Sequence, residues 1–366
     1  MGERMLGKRL GKRAMAWGAL FGILPDFTRI FSPFLDTAHQ IALRDGPSHS
    51  LWVMGLAAYG LAHWLAKRWK VEKINKWQAG GFVFALLCGH LLMECLTVDG
   101  AGVLWPFSPE KVALNTLFPL DFLFSGPLVV VALWLAILPE EVVKKTRGKM
   151  PAPSSKRRRL CHWGLGLATG YVLLAGAAKF LASAGFDADL KRRNTTYQRR
   201  MEAPAMFSIL IWRAVVQRDD ELWVGYRSLF ESQQTPVRWT IYPKGNNTLT
   251  AVDGAREIAT LTRATRGWWI ARANAKGIWM GDMRPAESRT WGDKKGMVDS
   301  RVAHSWVFTR DANGDRLQQT DDVWRNAGDM LNRLSGRLVG NRGMWEANPR
   351  LAGVSGSLPE YLAVEE

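Results

Sequence analysis

Long apolar runs alternate with short basic ones through the first half of the chain. Residues 14–25 are apolar but short and end at Pro25-Asp26, and further apolar runs follow at Leu51–Ala66, Ala79–Val98, Leu117–Leu138 and His162–Ala182. A helix that crosses a bilayer needs about 20 apolar residues. Four of these runs predict spans, and the N-terminal one predicts a fifth that is tilted or partial. Beyond residue 183 the pattern shortens. Met206–Gln217 and Leu222–Phe230 flank Arg218-Asp219-Asp220-Glu221 and predict a hairpin. Val237–Tyr242, Trp268–Arg272, Gly277–Met283 and Val302–Thr309 predict further strands. Thr250–Thr265 has helical spacing, with Ala251, Ala255, Ile258 and Leu261 on one face, and Asp321 is placed to cap a helix through Leu338. The last twenty residues carry no regular pattern. The expected fold is thus an α-helical transmembrane bundle of four to five spans, residues 1–183, followed by a soluble α+β domain, residues 184–366.

Charge adds an orientation. Eighteen Lys and Arg residues crowd residues 1–13 and the loops 67–76 and 144–159, whereas the opposite loops, 27–50 and 99–116, hold only Arg29, Arg44 and Lys111. The positive-inside rule assigns the basic loops to the cytoplasm and the chain beyond residue 183 to the outer side. A net charge of +16 would otherwise suggest nucleic acid. Here most of the excess sits in short loops next to apolar runs, so membrane lipid is the expected partner and nucleic acid is not. Cys88, Cys95 and Cys161 all lie in or beside apolar runs and form no paired framework.

The same topology collects chemistry on one side. His90 and Glu94 stand one helical turn apart, on one face of an apolar helix, where an ionisable pair is expensive and marks a functional site. Asp26, His49 and Asp121 fall at the corresponding ends of the neighbouring runs. Asp36, His39 and Asp45 are reserve candidates from the same loop. Two histidines and three carboxylates suit Zn²⁺, or a Zn/Mn-type pair, with Glu94 or Asp121 free to act as general base. Each residue also has a plainer reading: a buried hydrogen-bonded pair for His90 and Glu94, a surface acid for Asp121, a helix cap or loop residue for Asp26 and His49.

Several segments together resemble one family. LPDF at 24–27, GPSHSL at 46–51, GHLLMECLT to WPF at 89–107 and KVALNTLFPLDFLF at 111–124 are similar in order and spacing to the YdjM-like membrane-bound metal-dependent hydrolases. ILIWR at 209–213, WVGYRSLF at 223–230 and GDMR at 281–284 resemble the C-terminal region of the same family. The resemblance implies an inner-membrane hydrolase with Asp26, His49, His90, Glu94 and Asp121 as metal ligands. Thr28 stands where the family often has a second acid, Arg44 where it has a histidine, and Glu94 where it has an aspartate. A site at the lipid–water boundary suits a lipid-linked or phospholipid ester. The alternative is a non-catalytic envelope membrane protein whose polar cluster only ties helices together.

Overall fold

The computed structural model describes residues 1–139, 155–205, 209–250, 252, 255–274, 277–285, 302, 304–311, 314–320 and 334–341. The side chain of Asp45 and the segment 321–333 proposed to begin a capped helix lie outside the described residues, as do the final twenty residues. Two compact units divide the chain. One comprises Met1–Phe34, Leu43–Leu114 and Pro119–Leu174, the other Leu35–Ala42, Asn115–Phe118 and Ala175–Glu366.

The first unit is helical. In chain order its elements are α1 (Gly2–Leu10), α2 (Arg13–Ile23), a 3₁₀ segment Leu24–Phe34, α3 (Thr37–Asp45), a 3₁₀ turn Pro47–His49, α4 (Leu51–Arg68), α5 (Lys76–Leu96), α6 (Phe122–Ile137) and α7 (Ser155–Arg192); the unit boundaries cut α3 and α7. Ser50 starts α4 by accepting from the Val53 N–H. Asn75 starts α5 through a capping box with Gln78, which satisfies two orphan donors reciprocally. Phe21, Met54, Leu65, Trp69 and Phe82 form the centre of the core. Trp17 stacks on Phe21 and meets Trp64 and Trp69 edge-on, the arrangement that aromatic quadrupoles favour.

The bundle of four to five spans is not what forms. Among the described residues only α5 and α7 are long and apolar enough to cross a bilayer. Three expected spans fall short for separate reasons. The N-terminal run yields eleven α-helical residues before the chain tightens into the 3₁₀ segment that contains Pro25, whose ring nitrogen has no hydrogen to donate. In α4, the glycines 55 and 60, His63 and the terminal Lys67 and Arg68 dilute the apolar character. The run Leu117–Leu138 becomes helical only at Phe122, because Asp121 caps it there, which leaves sixteen residues. At 1.5 Å per residue that helix is about 24 Å long, short of the roughly 30 Å hydrocarbon layer. The two helices that qualify differ in surroundings: 44% of the apolar window is buried in α5 and 17% in α7. Trp163, Leu167, Leu173, Leu174 and Phe180 are exposed on α7.

The second unit carries two four-stranded antiparallel sheets, ordered β1-β2-β3-β4 and β5-β6-β7-β8. Their strands are β1 (Arg199–Pro204), β2 (Ile211–Arg218), β3 (Glu221–Ser228), β4 (Trp239–Pro243), β5 (Trp269–Asn274), β6 (Gly277–Asp282), β7 (Ser305–Asp311) and β8 (Gly314–Gln319). The hairpin around Arg218–Glu221 forms with these two residues paired, leaving Asp219 and Asp220 as its turn. Asp219 takes a positive φ, which a short polar side chain tolerates. The helix expected over Thr250–Thr265 is realised as α8 (Asn246–Thr250) and α9 (Arg256–Ala264). Phe186 and Leu190 of α7 pack on Trp212, Val216 and Trp239 of the first sheet. Ile258 and Leu261 of α9 pack on Trp269, Met280 and Trp306 of the second. The strands β1 and β8 have no counterpart in the sequence pattern.

Candidate metal centre

Three elements of the first unit deliver side chains to one place. The 3₁₀ segment after α2 carries Asp26, the Pro47–His49 turn carries His49, and α5 carries His90 and Glu94. Ligand atoms of Asp26, His49 and His90 all lie within 4.8 Å of one another. His49 Nε2 is 3.2 Å from His90 Nε2 and 2.9 Å from Glu94 Oε2, and His90 Nε2 is 3.9 Å from Asp26 Oδ2. The His49 side chain is buried, those of His90 and Glu94 largely so, and Asp26 is the most open of the four.

The far nitrogens of both rings are held from behind. His90 Nδ1 is 2.7 Å from the Gly22 carbonyl. His49 Nδ1 is 3.1 Å from the Arg44 carbonyl and 2.8 Å from Ser48 Oγ, and that hydroxyl itself donates to the Leu43 and Arg44 carbonyls. A carbonyl only accepts, so His90 Nδ1 donates to Gly22, while the Ser48 hydroxyl at His49 Nδ1 can donate or accept; in both rings Nε2 is the atom turned to the cluster. Glu94 Oε2, also facing His49 Nε2, is buried and receives no hydrogen bond. Two ring nitrogens and a carboxylate oxygen thus converge. Backbone carbonyls behind metal-bound imidazoles are the usual orienting partners. Ligand atoms about 2.0–2.2 Å from a tetrahedral zinc stand roughly 3.3–3.6 Å apart, close to the separations found here. The residues therefore fit a divalent metal.

The loop after α5 closes the site. Gly100 has φ +65°, and a Cβ there would lie 2.6 Å from Ala113 Cβ and 2.7 Å from the Val112 carbonyl. The bridge between Ala101 and Val112 and the bond from Leu114 N–H to the Cys95 carbonyl need that close approach. It leaves Asp99 within reach of Arg44, whose Nη2 is 3.3 Å from Asp99 Oδ2 and 3.7 Å from Glu94 Oε1. The sequence marks Asp99 only as one of several loop acids and Arg44 only as a departure from a motif. Nothing in the spacing connects them.

Asp121 has other partners. Its Oδ1 accepts from the backbone N–H groups of Leu123 and Phe124, and its Oδ2 accepts from Tyr171 Oη at 2.8 Å. Those bonds make it the cap of α6 and a link to α7. Asp121→Ala is expected to leave bound metal at the wild-type level while costing about 1 kcal/mol for the cap and more for the stranded tyrosine hydroxyl, as read by elemental analysis beside thermal unfolding. The reserve pair Asp36 and His39 sits in the second unit, where the two side chains contact each other and Arg256 Nη2 reaches His39 Nε2 at 2.8 Å. The His39 backbone N–H and ring hold the exposed Asp36 carboxyl below its ordinary range.

Residues 3–182 match the model of a family described as YdjM inner membrane protein. The match ends before the sheets, so the likeness of residues 209–284 to the family's C-terminal region has no counterpart in it. No curated protein and no solved structure gives a match to the chain.

Proposed function

Over residues 3–182 the chain belongs to the YdjM inner membrane protein family, and from that premise we propose that it is a metal-dependent hydrolase of the inner membrane. The observation that supports this most is the convergence of His49 Nε2, His90 Nε2 and Glu94 Oε2, with Asp26 beside them. Asp26, His49, His90 and Glu94 would hold the ion, Zn²⁺ before Mn²⁺ because two imidazoles enter the set. Such an ion supplies Lewis acidity and brings the pKa of a water toward neutrality. The protein supplies the rest. The Gly22 and Arg44 carbonyls hold the rings in register, and Asp26, on the open side, is the carboxylate left to take a proton, since Glu94 is shared between the site and Arg44.

A lipid-linked or phospholipid ester is the proposed substrate class, supported by the exposed apolar side chains of α6 and α7. The test is hydrolysis of phosphodiester and lipid-ester substrates by the metal-loaded protein in detergent. Turnover should vanish with chelator and fall about 10²–10⁴-fold in Asp26→Asn, the range for a lost general base. Absence of any metal-dependent turnover sinks the proposal. A second, structural reading is favoured by the 3.2 Å approach of the two Nε2 atoms, which a single shared proton would also bridge. It predicts a wild type that carries no metal.

For topology, the basic stretch 144–159 ahead of α7 supports a cytoplasmic start for that helix. Helix α7, leaving that stretch, would then carry the chain that follows it to the outer side. An alkaline phosphatase fusion after residue 195 should be active; an inactive one with a fluorescent GFP counterpart would reverse that orientation.

A further inference from the structure

We infer that Arg44 makes this a one-ion site, its guanidinium taking the position that a second cation would otherwise fill. The inference rests on the metal reading above and adds the stoichiometry and the residue that sets it. Arg44 acts twice. Its carbonyl is 3.1 Å from His49 Nδ1, and its Nη2 lies between Asp99 Oδ2 and Glu94 Oε1. Glu94 is therefore split between two cationic demands, with Oε1 turned to Arg44 and Oε2 to the histidine nitrogens. Without Arg44, Oε1 and Asp99 would be two carboxylate donors facing one another beside an occupied site, which is how a bridging carboxylate and an outer ligand prepare a second divalent ion.

Charge agrees with geometry. The contacts described here join the carboxylates of Asp26, Glu94 and Asp99 with one guanidinium, and these four side chains together carry two negative charges. One divalent ion neutralises them; a second would leave two positive charges in a partly buried place, where uncompensated charge is costly. Arg44 is a positioning residue by this account, since it touches ligands and not the ion. One nitrogen, Nη2, faces both carboxylates, and the charge of a guanidinium is not titrated away.

The experiment loads detergent-purified protein with Zn²⁺, removes excess by gel filtration, and reads zinc per chain by elemental analysis. Wild type and Arg44→Lys should hold about one ion. Arg44→Gln and Arg44→His, measured in parallel so that one folded variant suffices, should rise toward two. Two ions in wild type, or a folded Gln or His variant that stays at one, overturns the inference while leaving the metal reading intact. No zinc in wild type overturns the metal reading itself and this inference with it.

Discussion

His90→Ala is expected to empty the metal centre. His90 is placed by two independent constraints, its position one turn before Glu94 on α5 and the 2.7 Å bond from Nδ1 to the Gly22 carbonyl. Its Nε2 is consequently aimed, and no neighbouring side chain can supply the missing donor by a rotamer change, because His49 is itself held from behind. Losing an orienting partner behind a ligand costs about 10–100-fold in affinity. Losing the ligand should exceed about 100-fold, enough to take a site filled at working free-metal levels to one nearly empty. Zinc per chain in wild type and variant, after identical dialysis, reads this directly. Equal content in both means that His90 is not a ligand. A wild type without metal even after reconstitution means that the cluster joins helices and does nothing more.

The largest stability effect is expected in the second unit, at Asp189 near the end of α7. This buried carboxylate accepts from Val237 N–H at 3.0 Å, Trp239 Nε1 at 2.9 Å and Arg193 Nε at 2.8 Å. It ties the helix to the strand that carries Trp239. Asp189→Ala would leave two donors in the interior with no acceptor, since Val237 and Trp239 are both almost wholly buried. Each such orphan costs about 1–3 kcal/mol, so the variant should lose roughly 2–5 kcal/mol, a large share of the 5–15 kcal/mol that holds a typical domain. The arginines add less, because they are half exposed and can be hydrated. Urea unfolding followed by tryptophan fluorescence measures the loss, with Asp189→Asn expected in between because one acceptor oxygen remains. A loss under about 1 kcal/mol in the alanine variant would show that water replaces the carboxylate.

Apolar runs, hairpin signals and the i,i+4 pair on α5 were legible in the sequence because each depends on neighbours a few residues away. The hairpin at Arg218–Glu221 needs only two alternating segments and a turn that tolerates positive φ, and it forms where expected. Span lengths were less legible. Hydropathy registers apolar residues but not where a helix can begin, and Asp121 illustrates this. Read along the chain it is an acid inside an apolar run; in the fold it is the cap that starts α6 and so shortens the run to sixteen residues.

What the sequence determined by itself was the kinds of donor available and the helical face shared by His90 and Glu94, since helix geometry places residues four apart together whatever surrounds them. Only the tertiary structure decided which distant groups joined them. Asp26 and His49 lie 68 and 45 residues before Glu94 in the chain, and their approach depends on a 3₁₀ segment, a buried turn and the packing of α2 and α4 on α5. The roles of Arg44 and Asp99 had the same origin. An ion pair between loops leaves no periodic trace in a sequence, because it is made by backbone paths that the close approach at Gly100 permits.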